Sequence, residues 1–101
     1  MNNENVNFGQ AIEALKEGKR VARKGWNGIG MFVFKQIPAS IGVNIIPNMQ
    51  SLPLNVKNEF VHRGTNINYS NQMCIVKPDN TIDSWVASAS DIFAEDWEIL
   101  D

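Results

Sequence analysis

Residues 7–35, NFGQAIEALKEGKRVARKGWNGIGMFVFK, contain the pattern that decides the fold. Asn7 is a good N-cap, and Gln10 three residues later completes a capping box. Apolar residues at positions 8, 11, 12 and 15 have helical spacing and predict one buried helix face. Gly18 supplies the left-handed residue that commonly ends such a helix. The stretch therefore predicts a first helix that begins after Asn7 and ends at Gly18.

A glycine-rich turn follows, with glycines at 25, 28 and 30 between the β-rich runs 20–24 and 31–35. This arrangement predicts a β-hairpin with a wide turn. Strand alternation places Val21 and Arg23 on one face, so Arg23 is a better candidate than Arg20 for a ligand or a shared interface. The glycines lack the strand-to-helix context and the Lys-Ser/Thr ending of nucleotide-binding loops, which favours turn chemistry.

The rest of the chain predicts a small α+β domain. Residues 36–65 hold three prolines and no lasting period, so we predict a long loop or insertion, apolar enough to cover its own sheet or a neighbouring copy. Residues 1–6 are expected to be frayed. The remaining segments predict strands at 65–69, 73–77, 81–86 and 96–100, with a short helix over 88–94. We therefore predict a single domain over 1–101, an N-terminal helix packed on a largely antiparallel sheet, with the short second helix before the last strand.

The composition of the chain argues against several classes of function. The chain has 101 residues, 44% hydrophobic and 20% charged, with a net charge of −2 and one cysteine. There is no basic stripe for long nucleic acid, no apolar run of membrane-spanning length and no secretory signal pattern. We expect a reduced, cytoplasmic protein without a disulfide. A chain this short cannot easily enclose a deep pocket, so a ligand site is expected in a surface groove or between copies.

The sequence gives little support for a catalytic or metal-binding site. His62 is the only histidine and is predicted in a solvated loop, while Cys74 is predicted as a buried, inert thiol in a strand. Asp91 and Glu95 stand four apart, as metal ligands or hydrolytic carboxylates do, but a helix N-terminal aspartate and a solvated acidic edge explain them better. We predict no catalytic residue, no metal and no cofactor.

The aromatic residues are more informative. Trp26 lies in the glycine-rich turn, Trp85 precedes the small residues Ala87 and Ser88, and Tyr69 ends another predicted strand. Aromatic faces beside small residues and amides suit a nucleobase, and an arginine suits phosphate. Trp97 alternates with Ile99 and is assigned to the core.

Several motifs resemble the second type of phage Thoeris anti-defence proteins. They are FGQAIEALKEGK at 8–19, VARKGWNG at 21–28, GMF at 30–32, and TI, WVAS, Asp91 and AEDW over 81–97. The resemblance covers nearly two thirds of the chain in matching order. By motif it implies that the ligand site is lined by Trp26, Asn27, Met31, Trp85, Ala87, Ser88 and Asp91. Tyr69 and Arg23 are added from the aromatic and charge pattern.

The resemblance implies a non-enzymatic sponge that acts in the host bacterial cytoplasm. Such proteins capture nucleotide-derived signals of TIR-domain proteins, typically glycocyclic ADP-ribose and in some members cyclic oligonucleotides, without cleaving them. It also implies a homotetramer with ligand sites where subunits meet. Residues 36–64 and 72–74 differ from the family pattern, which bears on ligand identity. The alternative hypothesis is a protein-binding inhibitor of a host defence component that docks through the apolar 36–65 segment.

Overall fold

The computed structural model describes residues 3–26 and 28–101. The chain forms two compact units, one comprising Met1–Gln36 and Gln72–Asp101, the other Ile37–Asn71. We call them the main unit and the inserted unit. The helices are α1 (Phe8–Lys16), α2 (Leu54–Arg63) and α3 (Ala89–Phe93); the strands are β1 (Val21–Arg23), β2 (Phe32–Lys35), β3 (Ala39–Ile41), β4 (Ile67–Tyr69), β5 (Met73–Val76), β6 (Ile82–Ser84) and β7 (Trp97–Ile99). None of the described helices is long and apolar enough to cross a bilayer.

The main unit is built on a five-stranded sheet in the order β6-β5-β2-β1-β7. Every neighbouring pair of these strands is antiparallel, and Val21 of β1 lies between Val33 of β2 and Ile99 of β7. The predicted hairpin of β1 and β2 is therefore confirmed, as is the α+β class with a largely antiparallel sheet. The last strand joins the sheet beside β1, which brings its preceding helix α3 back to the start of the chain.

Helix α1 covers one face of this sheet and forms the core with it. The Asn7 side chain accepts from the Gln10 backbone N–H and the Gln10 side chain accepts from that of Asn7, so the predicted capping box is present. Gly18 has a φ of 85°, the left-handed conformation expected there. The buried cluster comprises Val6, Ala11, Ala14, Leu15, Val21, Val33 and Trp97. Burial of this apolar surface, rather than helix propensity, holds a helix of two to three turns in place.

The inserted unit is smaller and more exposed. Strands β3 and β4 pair as a two-stranded antiparallel sheet, with Ile41 opposite Ile67. A short 3₁₀ turn, Ile46–Asn48, carries the fully buried Ile46. Helix α2 follows Pro53 and ends at Gly64, which has a φ of 65°. No residue of α2 is buried, so this unit draws little stability from its longest element.

Three expectations for the chain need correction. Residues 36–65 are not an irregular loop, because they contain β3, the 3₁₀ turn and α2. Residues 3–6 are not frayed: Val6 pairs with Trp97 and is 5% exposed, and the Asn3 carbonyl accepts from the Ile99 N–H at 2.8 Å. His62 lies in the last turn of α2, not in a loop. The burial of Cys74 is confirmed.

Candidate ligand-binding site

The three tryptophans of the chain meet in the main unit. Trp97 is 1% exposed, and its ring lies 5.5 Å from that of Trp26 and 6.0 Å from that of Trp85, centroid to centroid, in edge-on geometry. Trp26 and Trp85 lie 6.2 Å apart at 69°. Both are half-buried and pack against the core cluster, so each ring keeps one part in the core and another part in solvent. This division suits a stacking surface on a rigid base.

Arg23 fixes the turn that carries Trp26. Its Nε donates to Asp96 Oδ1 at 2.9 Å, and the other carboxylate oxygen of Asp96 accepts from the Gly25 N–H at 3.0 Å. The Lys24 N–H donates to the Asp96 carbonyl at 3.1 Å, and the Trp26 N–H donates to the Arg23 carbonyl at 3.3 Å. The chain from β1 into the turn is thus tied to the start of β7 by side-chain and backbone bonds together.

The same arginine fixes the segment that follows Trp85. Arg23 Nη1 donates to Asp91 Oδ1 at 2.9 Å, while Asp91 Oδ2 accepts from the Ser88 N–H at 2.9 Å and from the Ser88 hydroxyl at 2.8 Å. The Ser88 hydroxyl in turn accepts from the Asp91 N–H, which completes a capping box on α3. The Trp97 indole N–H donates to the Asp91 carbonyl at 2.9 Å. One guanidinium therefore orients both segments that carry the half-buried tryptophans.

The charges in this network are strongly coupled. The Arg23 side chain is 18% exposed and that of Asp91 12%. The hydrogen bonds that Arg23 donates to Asp96 and Asp91 raise the pKa of Arg23. Burial disfavours the Asp91 carboxylate, but hydrogen bonds from Ser88 and Arg23 outweigh it and lower its pKa. For Asp96, burial is likewise outweighed by hydrogen bonds from Arg23 and Gly25, and its pKa is lowered. Both carboxylates are therefore ionised at neutral pH, and two negative charges face the single positive charge of Arg23.

The other residues expected at the site are distributed unequally. Met31 is half-buried, and its side chain lies against Gly28, where an added Cβ would also meet Pro78 Cγ at 2.9 Å. Ala87 is half-buried between Trp85 and Ser88 along the chain. Tyr69 ends β4 in the inserted unit, where it pairs with Ala39 and is half-buried. Asn27 lies outside the described residues. Whether these residues contact a ligand stays a prediction.

Sequence reasoning missed the part played by Asp96. The solvated acidic edge predicted around Asp91 and Glu95 does not extend to Asp96, which pairs with Arg23 across 73 positions of sequence. The sequence carries no local signal for this pair, because the two residues are brought together by the pairing of β1 with β7. The Asp91 carboxylate already accepts hydrogen bonds from Arg23 and Ser88, which makes it a poor general base for hydrolysis. In the described residues no three His, Cys, Asp or Glu side chains form a group that would hold a metal ion.

A surface groove of about 370 Å³ lies elsewhere in the main unit, between the N-terminal segment and α1. Its lining includes Asn3, Gln10, Glu13 and Lys19. None of the residues predicted for the ligand site lines it. The groove is thus separate from the tryptophan surface, by which we mean the half-buried rings of Trp26 and Trp85 over Trp97.

Comparison with known proteins agrees with the sequence motifs. The model of the Thoeris anti-defense 2-like domain matches residues 6–100, which include both tryptophan segments and the inserted unit. The chain is also similar to Thoeris anti-defense 2 of Bacillus phage SP01, with 33% identity over 95 residues. That alignment covers 94% of each of the two chains.

Proposed function

Because the chain belongs to the Thoeris anti-defense 2-like family, we propose that it counters Thoeris defence as a phage-encoded sponge. In this proposal it binds a cyclic ADP-ribose-type immune signal, glycocyclic ADP-ribose in the first instance, and sequesters it without cleaving it. The effector of the defence system is then starved of its activator. Cyclic oligonucleotides are a second candidate ligand class. The place of action is the cytoplasm of the infected bacterium.

The tryptophan pair is the observation that carries this proposal. Trp26 and Trp85 both rest on the buried Trp97, and Arg23 holds their two chain segments through Asp91 and Asp96. A surface built in this way is rigid before the ligand arrives, so little ordering cost is left to binding. Aromatic stacking contributes about 1–3 kcal/mol per base. The arrangement suits tight binding of a purine ring without a group poised to attack it.

Sequestration works by mass action, so the affinity has to be high. A sponge that competes with a micromolar effector needs a nanomolar dissociation constant, about −12 kcal/mol. Stacking on one or two rings supplies part of this, and enclosure of the rest of the ligand must supply the remainder. A chain of 101 residues cannot easily enclose a ligand by itself, which favours a site shared between copies.

Exposed apolar residues on or next to the chain segments that carry the tryptophans support such sharing. Ile29 in the glycine-rich turn is 95% exposed, Val86 after Trp85 is 85% exposed and Phe93 at the end of α3 is 83% exposed. Large apolar side chains of this exposure, grouped on neighbouring segments, are typical of interaction surfaces. We propose that copies of the chain associate here, as a homotetramer, and that each ligand is held between subunits.

A depletion experiment tests the proposed function. Purified protein is mixed with glycocyclic ADP-ribose, the mixture is passed through a membrane that retains protein, and the filtrate is measured by mass spectrometry. We expect the ligand to vanish from the filtrate and to reappear with unchanged mass after heat denaturation. A cleaved product after heating would instead identify an enzyme, and full recovery in the first filtrate would exclude binding.

Two variants make the experiment specific to the site. Trp26→Ala removes a half-buried ring and is expected to abolish depletion while the protein remains folded. Phe60→Ala removes a ring of similar size from α2 in the inserted unit and is expected to leave depletion intact. Sedimentation of Phe93→Asp tests assembly in parallel, since a charge on the proposed contact should convert the tetramer to smaller species.

The second candidate function, inhibition of a host protein, rests on α2. Leu54 and Val61 of this helix are 67% and 47% exposed, and no residue of the helix is buried. A helix that exposes apolar side chains suits docking into a groove of another protein. The double variant Leu54→Asp, Val61→Asp separates the two functions. If anti-defence activity in cells is lost while ligand depletion persists, the helix rather than the tryptophan surface mediates inhibition.

A further inference from the structure

Lys35 differs from the other basic residues of the chain in its bonding. Elsewhere each lysine and arginine lies within 3.5 Å of a carboxylate oxygen or, for Lys57, donates to the backbone carbonyls of Pro47 and Met49. Across residues 3–26 and 28–101, no hydrogen bond or ion pair is made by the Lys35 side chain. The residue as a whole is half-buried. A lysine that no carboxylate pairs with is a candidate anion ligand.

The sheet register places Lys35 in the same row of the sheet as Trp85, two strands away. Lys35 ends β2 directly opposite Met73 of β5. The Trp85 N–H donates to the Met73 carbonyl at 2.9 Å, so Trp85 is the next residue in the same row across the sheet. Met73 and Trp85 both pack against the core cluster, and Lys35 stands two positions after the buried Val33, so all three side chains share that face. Opposed Cβ atoms in such a row are about 5 Å apart.

Arg23 is not available for the same task. We predicted from the sequence that Arg23 contacts phosphate, but its Nε and Nη1 donate to Asp96 and Asp91. Two carboxylates offset its charge, and an approaching phosphate would meet their repulsion. The ligand of the proposed function carries phosphate groups, and the described tryptophan face offers Lys35 as an uncommitted cation.

We infer that Lys35 binds the phosphate groups of the sequestered nucleotide at the edge of the tryptophan surface. The inference rests on the proposed function, since it assigns the anion contact of that same site. In this arrangement the base stacks on the tryptophans while the ammonium donates to phosphate oxygens one or two strands away. Arg23 is then a positioning residue that orients Trp26 and Trp85 without touching the ligand.

Calorimetric titration with glycocyclic ADP-ribose at two salt concentrations tests the assignment. Lys35→Gln is expected to weaken binding by about tenfold to a hundredfold, the range of a charge-assisted hydrogen bond. It should also flatten the dependence of affinity on salt, because a charge contact has been removed. Lys35→Arg should restore most of both. Lys16→Gln, which removes a well-exposed lysine of α1 paired with Glu13, is the matched control and should bind as the parent chain does.

The outcomes separate the two proposals. If the parent chain binds no cyclic nucleotide, the sponge function fails and the assignment of Lys35 falls with it. If the parent chain binds while Lys35→Gln retains its affinity and salt dependence, only the assignment of Lys35 is overturned. Thermal melting of each variant guards against a folding defect. Because the Lys35 side chain makes no described bond, the melting temperature of the Lys35 variants should equal that of the parent chain.

Discussion

The main unit and the inserted unit contain similar apolar side chains but use them differently. In the main unit the helix α1, the sheet and Trp97 bury a continuous cluster. In the inserted unit, burial is confined to Ile46 and Ile67, and α2 leaves all of its residues at least partly exposed. The comparison teaches that apolar content does not by itself form a core. A core requires apolar side chains at the period of their element and a second layer to receive them.

The largest expected effect comes from the centre of the main unit. Trp97→Ala removes a ring that contacts both other tryptophans and donates to the Asp91 carbonyl. We expect the free energy of unfolding to fall by about 3–5 kcal/mol. Leu54→Ala in α2, where the side chain is 67% exposed, should change it by less than about 0.5 kcal/mol. Urea denaturation measures both, and equal losses would show that the two units are not so different in burial.

The next effect contrasts two arginines. Arg23→Gln breaks the ion pairs to Asp91 and Asp96 and is expected to cost about 2 kcal/mol, allowing for the partial exposure of the network. It should also abolish ligand depletion, because the turn of Trp26 loses its anchor. Arg63→Gln in α2 breaks an exposed pair with Glu59 and should cost no more than about 0.5 kcal/mol. A cost for Arg23→Gln as small as that for Arg63→Gln would remove the anchoring role.

The stability that the Arg23 ion pairs contribute depends on pH. The folded-state pKa values of Asp91 and Asp96 lie below the unperturbed value of 3.8. Their pairing therefore stabilises the fold fully above that pH and is lost as the pH falls through the folded-state pKa values. The stability difference between the parent chain and Arg23→Gln should be constant near neutral pH and shrink below pH 3.8. Denaturation series across this range measure it, and a constant difference at all pH values would contradict the ionic explanation.

Much of the main unit follows from local sequence signals. Asn7, Gln10 and Gly18 mark the ends of α1, and the glycine-rich turn marks the β1–β2 hairpin. These signals act over a few residues, so a single sequence displays them. Trp97 was correctly placed in the core because it alternates with Ile99 along one strand. Trp26 and Trp85 stand out in the sequence because neither lies at a regular core position; the structure leaves both half-buried, and their contact with a ligand stays a prediction.

The remainder depends on contacts that no local pattern encodes. Strand register between distant segments creates the pairing of Arg23 with Asp96. It also places Lys35 opposite the uncharged Met73. The sequence did not predict α2 for two reasons. Prolines precede it in the chain, and none of its residues is buried, so its apolar residues show little helical periodicity. Periodicity reports burial, so an element that buries little is nearly invisible in the sequence.

The smallest expected effect compares the starts of two helices. Helix α3 begins at Ser88, whose side chain accepts from the Asp91 N–H. Helix α2 begins at Pro53, which makes no side-chain cap. Ser88→Ala should therefore cost about 1 kcal/mol, whereas Pro53→Ser should add a cap and stabilise α2 by about 0.5 kcal/mol. Amide hydrogen exchange resolves the two helices separately. Slower exchange in α2 with unchanged exchange in α3 after Pro53→Ser would show that the inserted unit lacks stability for want of local bonds as well as of a core. Unchanged exchange in α2 would leave the missing second layer as the sole cause.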